Sequence, residues 1–315
     1  WDFVLSDLSR ANGLLTTQSS VTFISRDFIT ALRARIAAYR GNYETALPLA
    51  MGLLNKYGIA DRTEYSDMWF DQDNTEIIFK LERSQGDPYD GQGATGSAAA
   101  GGWAGARWAF TNRGIAGAPY FEINRALFNM LDPDDIRYDV NVHPSSVIDP
   151  DYPDAENYRT DDILVVDKYP GSEGVPLMND LKVFRSSEML FIAAEAYADA
   201  GSFNGSSNST AALIKRLRDA RFGEVTELPE YDNEAEAFGA ILDERRIELA
   251  FEGHRYKDLK RIGARGNRAI DRDPLDCAQF NACTLQPTDY RFTLPLPIVE
   301  FNANPGLREQ QNPGY

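Results

Sequence analysis

The chain has 315 residues, 43% of them apolar, with a formal net charge of −16, two histidines and two cysteines. That length and apolar share suffice for one large core or two smaller ones. No apolar run approaches the about 20 residues needed to cross a bilayer as a helix, and the acidic balance disfavours nucleic acid, whose binding needs a basic patch that releases counterions.

Asp2 to Leu15 reads as an amphipathic helix, with Phe3, Val4, Leu8, Ala11 and Leu15 on one side. The chain opens on Trp1 inside this helix, without a starting Met, a signal segment or a lipid-modifiable cysteine, and is expected to be a fragment or processed form whose first helix expects partners before it. Ser25 or Asp27 can cap a second helix carried by Phe28, Leu32, Arg35, Ile36 and Tyr39 to Gly41. A partner helix is expected from Tyr43 to Tyr57, with Ala46 and Ala50 four apart, the small-residue spacing by which tetratricopeptide helix pairs approach closely. Pro48 should kink or delay it.

From Asp61 to Asp180 the pattern changes. Thr75 to Glu82 is the one convincing strand, followed by a long stretch rich in Gly, Ala, Asp, Pro and Tyr. Its aromatics, among them Tyr89, Trp103, Trp108, Tyr138 and Tyr169, mark it as an ordered insertion rather than a linker. Asp71, Asp73 and Glu76 resemble the opening of a calcium loop and Glu82 takes the twelfth position, but Glu76 stands where glycine is needed and a strand runs through the middle, so capping and turn roles are expected. The Gly-rich run from Gly86 to Gly114 lacks the ending of a phosphate loop. It combines flexible backbone, Trp103 and Trp108 as flat apolar faces, and Tyr89, Arg107 and Asn112 beside them, which suits the C–H face and hydroxyl rim of a sugar. Trp103 could equally anchor the loop to the helices, and for Trp108, followed by the apolar pair Ala109 and Phe110, anchoring is the favoured role.

Further helix pairs are expected at Ser186 to Ala200 with Thr210 to Arg221, and at Glu234 to Glu252 with a short helix through Tyr256 and Ile262. In the last pair Phe238, Ile241, Leu242, Arg245 and Leu249 share one face, which should be buried, and Gly253 should end the first helix. The resulting elbow, DERRIELAFEGHRYKDLKRIG from Asp243 to Gly263, carries charges of both signs, and Arg245, Glu248, Glu252 and Arg255 are expected to form a structural ion-pair network rather than a metal or acid/base site. Cys277 and Cys283 could close a small disulfide loop in an oxidising, extracytoplasmic compartment, or remain two reduced thiols. Carboxylates from Asp132 to Asp162 lie mostly in Asp-Pro contexts that build turns, and no nucleophile motif is present, so an enzyme is the minority reading and neither cofactor nor metal is expected. Helix pairs at wide intervals predict a mainly α fold: an irregular tetratricopeptide-like α-solenoid scaffold (1–60), a loop-rich region with little β (61–180), and a C-terminal helical and tail part (181–315), together one domain.

The elbow, the stretch RSSEMLFIAAEAYADAG from Arg185 to Gly201, and the ending LPLPIVEFNANPGLREQQNPGY from Leu294 to Tyr315 together resemble the SusD/RagB family of surface lipoproteins of Bacteroidetes-type bacteria. The resemblance implies a non-catalytic outer-membrane protein, lipid-anchored in full-length form, that delivers oligosaccharide to a SusC-like TonB-dependent transporter. Some relatives take peptides instead, and a helical glycoside hydrolase is a further alternative. It also implies that an N-terminal region of the usual chain is absent here.

Overall fold

At the centre of the protein lies a helix, residues 186–199, in which almost every side chain from Ser186 to Ala196 is buried. Its run MLFIAAEA is apolar on all sides, which a helix tolerates only when neighbours cover its whole circumference. The computed structural model describes residues 1–15, 20–84, 121–174, 178–278 and 282–315. In chain order its main elements are α1 (Asp2–Leu14), α2 (Arg26–Tyr39), α3 (Tyr43–Tyr57), α4 (Arg62–Trp69), β1 (Ile77–Leu81), α5 (Arg125–Phe128), α6 (Ile136–Asn141), α7 (Tyr158–Asp161), β2 (Leu181–Arg185), the central α8 (Ser186–Asp199), α9 (Thr210–Phe222), α10 (Glu234–Glu248), α11 (Arg255–Ile262), β3 (Ile270–Asp271), α12 (Pro274–Cys277), β4 (Thr284–Leu285) and α13 (Ile298–Ala303).

The fold is mainly helical. Helices α2, α3, α9 and α10 all pack on α8, and Ala46 and Ala50 on α3 are fully buried, which lets the two backbones approach. Ser25 caps α2 by accepting from the Phe28 amide at 3.2 Å, and Gly41, at φ +70°, makes the turn into α3. Contrary to the expected delay, α3 starts at Tyr43 and includes Pro48; the missing amide costs one hydrogen bond, and burial of Ala46, Ala50, Leu53 and Leu54 offsets it. Nothing on α1 is fully buried: Leu8 and Ala11 are half-buried where it meets α2, while Phe3 and Leu14 stay exposed.

Three of the differences from the sequence reading bear on the elbow and its surroundings. Helix α4 went unpredicted although Asp61 and Glu64 form a reciprocal capping box at its start. Strand β1 has an antiparallel partner, β2, whose mixed charged and apolar sequence LKVFR carries no clear strand signal. Helix α10 ends at Glu248 rather than Glu252. Its expected face is buried throughout, at Phe238, Ile241, Leu242, Arg245 and Leu249, but the chain then turns through two left-handed residues, Phe251 at φ +63° and Gly253 at φ +81°.

The β1–β2 register sets Ile77 opposite Arg185 and brings Arg185 beside Glu76, the residue preceding the strand. Around this point a buried charge cluster joins segments far apart in sequence. The Arg185 guanidinium donates to Glu76 at 2.9 Å, Glu248 at 2.9 Å and Glu252 at 2.7 and 3.0 Å. From α9, Arg221 reaches Glu76 at 2.6 Å and Glu248 at 3.0 Å, and donates to the Ala60 carbonyl at 2.8 Å. Arg137 on α6 chelates Asp135 and donates to Glu244 at 2.7 Å. Lys168 donates to the carbonyls of Glu248 and Ala250 and to Glu252 at 2.9 Å. The arginines, Lys168, Glu76, Glu244 and Glu248 are essentially inaccessible.

Burial is the largest influence on Lys168 and on Glu252, and the outcome depends on what opposes it. It pushes the Lys168 ammonium down to about 8 despite Glu252. For Glu252 burial would raise the carboxyl, yet Arg185 and Lys168 outweigh it and hold it at about 2. A second cluster lies on the other side of α10: Arg245 chelates Asp258 at 2.8 and 2.9 Å, and Arg261 bridges Asp258 at 2.8 Å and Glu195 at 2.5 Å. On α2, Arg35 chelates Glu188 at 2.5 and 2.6 Å.

Because removing one partner of a buried pair strands the other, Arg185→Met and Arg245→Ala should each cost about 3–5 kcal/mol of unfolding free energy, read as a lower urea midpoint at unchanged slope. For Glu252 the folded carboxyl at about 2 lies below the ordinary 4.5, so its stabilisation is complete above pH 4.5 and is lost as pH falls toward 2. Glu252→Gln should therefore flatten the acid limb of a stability–pH curve by about 3 kcal/mol.

Candidate functional site

The sugar-platform residues of the sequence analysis, Tyr89, Trp103, Arg107, Trp108 and Asn112, lie outside the described residues. Their stretch is flanked by firmly built positions. On one side, the Arg83 amide donates to Asp180 at 2.8 Å, and Asp180 pairs with Lys80 at 2.7 Å. On the other, the Ile123 amide donates to the Leu164 carbonyl at 2.8 Å.

The elbow residues are placed fully. Glu248 accepts from Arg185 and Arg221, Glu252 from Arg185 and Lys168, and Arg245 is held by Asp258 with Glu195 at 3.6 Å. Arg255 departs from the network expected of it: its guanidinium donates to the Leu242 carbonyl at 2.9 Å, and no carboxylate lies within 4 Å among the described residues. Arg255 stands at the first turn of α11, and the carbonyl it reaches belongs to the middle of α10, away from Glu248 at that helix's end. Partners that sequence reasoning missed are Glu76, Arg137, Lys168 and Arg221. Their signal was a charge inside or beside an apolar run, as in TEIIF for Glu76, which signals burial without identifying the mate.

Two clefts flank the turn between α10 and α11. One, of about 220 Å³, is lined by Trp69, Tyr169, Leu181, Lys182, Phe251 and Glu252. Trp69 meets the Tyr169 ring edge-on at 5.7 Å, and the Lys168 ammonium sits 4.4 Å from its ring centre. The other, of about 340 Å³, has an apolar floor including Leu127, Leu249 and Ala250, and a rim carrying Arg246, His254, Arg255, Asp271 and Arg272. Burial lowers the His254 imidazole and the Arg246 guanidinium; it brings Arg255 down to about 10, helped by the like charge of Arg246. Phe251 lies between the clefts. Its ring packs on both satellite apolar clusters, and its carbonyl accepts from the Tyr169 hydroxyl at 2.9 Å.

The carboxylates of the calcium-like stretch are engaged within the protein. Asp71 pairs with Lys182 and accepts from Asn179 and the Asp180 amide at 3.0 Å, Asp73 accepts from the Thr75 amide at 2.7 Å, and Glu76 belongs to the buried cluster. In the loop-rich region Asp162 pairs with Arg125 at 2.8 Å. Asp167 is different: burial raises its carboxyl to about 6, with His143 opposing from 3.9 Å. Cys277 is joined to Cys283 in a disulfide beside α12. Within that helix and its cap, Asp273 accepts from the Tyr152 hydroxyl at 3.0 Å, and Asp276 from the Tyr158 hydroxyl at 2.6 Å and the Arg125 amide at 2.8 Å.

Residues 166–315, which contain the elbow and the tail, match the model of the SusD family. SusD-like protein P2 of Formosa agariphila is 32% identical over 151 residues, 46% of this chain and 28% of that protein. A crystal structure of a SusD superfamily protein from Bacteroides thetaiotaomicron superposes with a TM-score of 0.72 at 26% identity, covering 98% of this chain and 65% of the other. The surface glycan-binding protein A of Bacteroides fluxus shares the fold, with a TM-score of 0.66 at 20% identity over the whole of this chain and 69% of its own. The chain thus spans less than two thirds of the first two relatives; its residues 166–315 belong by sequence to the SusD family, and nearly its whole length shares the fold of a SusD superfamily structure.

Proposed function

We propose that the chain is a non-catalytic cell-surface binding protein that captures oligosaccharide for a SusC-like TonB-dependent outer-membrane transporter. The observation that carries this reading is the superposition of 98% of the chain on a SusD superfamily structure, in a family match that includes the elbow and the tail. The glycan-binding neighbour from Bacteroides fluxus supports the ligand class. The chemistry of residues 86–114 supports it independently, since stacking on Trp103 and Trp108 with Tyr89, Arg107 and Asn112 at the rim would recognise a sugar without breaking a bond. The buried charge clusters act in this reading as scaffold: their carboxylates are neutralised by arginines and lysine, which suits holding helices rather than proton transfer.

Asp167 favours a second reading. A carboxyl raised to about 6 is what a general acid in glycoside hydrolysis requires, and that chemistry also needs a second carboxylate across the scissile bond. Reducing-end release from any bound polysaccharide, abolished by Asp167→Asn, would establish the hydrolase and displace the capture reading.

Tryptophan fluorescence titrated with a panel of soluble glycans should give a saturable change for at least one, with a dissociation constant between micromolar and millimolar, about −8 to −4 kcal/mol. Trp103→Ala should weaken it at least tenfold while leaving the melting temperature in place. A response to peptides alone would replace the glycan with a peptide ligand.

A further inference from the structure

We infer that the cleft between α10, α11 and the β3 segment is an oxyanion-binding site, built for a carboxylate or sulfate carried on a small molecule with an apolar face. The cleft concentrates positive charge in a chain whose net charge is −16. Arg246, Arg255 and Arg272 stand on its rim, and Asp271 is the carboxylate among its lining residues.

The arginines elsewhere in the interior contrast with these. Arg137, Arg185, Arg221 and Arg245 each hold a carboxylate within 3.0 Å. Arg246 and Arg255 hold none within 4 Å among the described residues, although both are largely withdrawn from water. Among the described residues the Arg246 guanidinium makes one hydrogen bond, a long one of 3.4 Å to the Asp271 carbonyl. The nearby carboxylate of Asp243 is occupied by Arg268, which chelates it at 2.8 and 2.6 Å. Burial lowers both guanidiniums; the like charge of Arg246 lowers Arg255 further, while Asp271 and Asp243 act on Arg246 in the opposite direction from beyond contact distance. Two partly desolvated cations with no carboxylate in contact cost stability, and an anion placed against them would recover it.

Two further features point the same way. Helix α11 opens on this cleft with no side-chain cap at His254, so its first amides and the positive end of its dipole face the same space. The His254 imidazole, half-buried and lining the cleft, makes no hydrogen bond among the described residues and can donate to an oxyanion. The floor of Leu127, Leu249 and Ala250 excludes water beneath the charges, which strengthens them, and offers an apolar surface to a ring.

The test is calorimetric titration of the chain with sodium glucuronate and with sodium sulfate at constant ionic strength, with glucose as the uncharged control. Saturable one-to-one binding of either anion, at least tenfold weaker in R246Q/R255Q, is expected. Saturation by glucuronate alone would assign a sugar carboxylate; saturation by both would assign a bare oxyanion site. In anion-free buffer the double variant should still unfold in a single cooperative transition, because it loses main-chain hydrogen bonds to the Leu242 and Asp271 carbonyls but no ion pair in contact. Should it fail to fold, Arg272→Gln, at the exposed rim, should still weaken the anion several-fold. Absence of saturation with both anions, equal affinity in the folded variant, or glucose binding as tightly as glucuronate would overturn the assignment.

Discussion

The Arg185 guanidinium is the constraint on which the rest of the structure depends. It sits where β2 becomes the central helix α8, and its five donors are shared among Glu76 before β1, Glu248 at the end of α10 and Glu252 in the turn beyond. Each of those carboxylates is tied in turn to another segment: Glu76 and Glu248 to Arg221 on α9, and Glu252 to Lys168 in the loop-rich region. Such a cluster adds little net stability over a well-packed apolar one, since desolvation consumes most of the Coulomb gain. Its contribution is geometric. Helix pairs that could slide against each other along apolar faces are held in one arrangement by bonds with fixed directions.

The loop-rich region is attached to this scaffold by polar contacts as much as by packing. Lys168 donates to two main-chain carbonyls just past α10, and the Tyr169 hydroxyl donates to a third. Arg62 on α4 donates to the carbonyl of Asp134 and to that of Arg221. The elbow therefore serves two sides at once: its buried face organises the helices, and its main chain receives the region that covers them. Phe251 accepts a left-handed backbone, which costs a non-glycine residue roughly 1–3 kcal/mol, and its ring is shared by two apolar clusters.

Much of the helical scaffold was legible in the sequence, because apolar spacing of three and four residues depends only on local geometry. The bounds of α3 and the buried face of α10 follow from it, and so does Arg245 as a charge within an apolar stripe. Partner identity was not legible. Glu76 and Arg185 are 109 residues apart and meet through the pairing of a strand whose sequence carries little alternation. Arg255 shows the same limit from the other side: its place in the charged elbow suggested an ion pair, and its guanidinium meets the Leu242 carbonyl instead. For the candidate sugar platform the sequence supplies composition, and composition can name chemistry without placing it.

The disulfide beside α12 has a reach beyond its own short loop. It fixes the turn that carries Asp273 and Asp276, and these two carboxylates receive two tyrosine hydroxyls and one main-chain amide from residues 125–158. The covalent bond thus stiffens a polar clasp between the tail and the loop-rich face. Where thiols stay reduced, the same chain would still build its helices, but the clasp would be free to drift and that face would be held less firmly. The redox state of the compartment is in this way a structural input, setting how tightly the outer layer is fastened to an interior that does not itself depend on it.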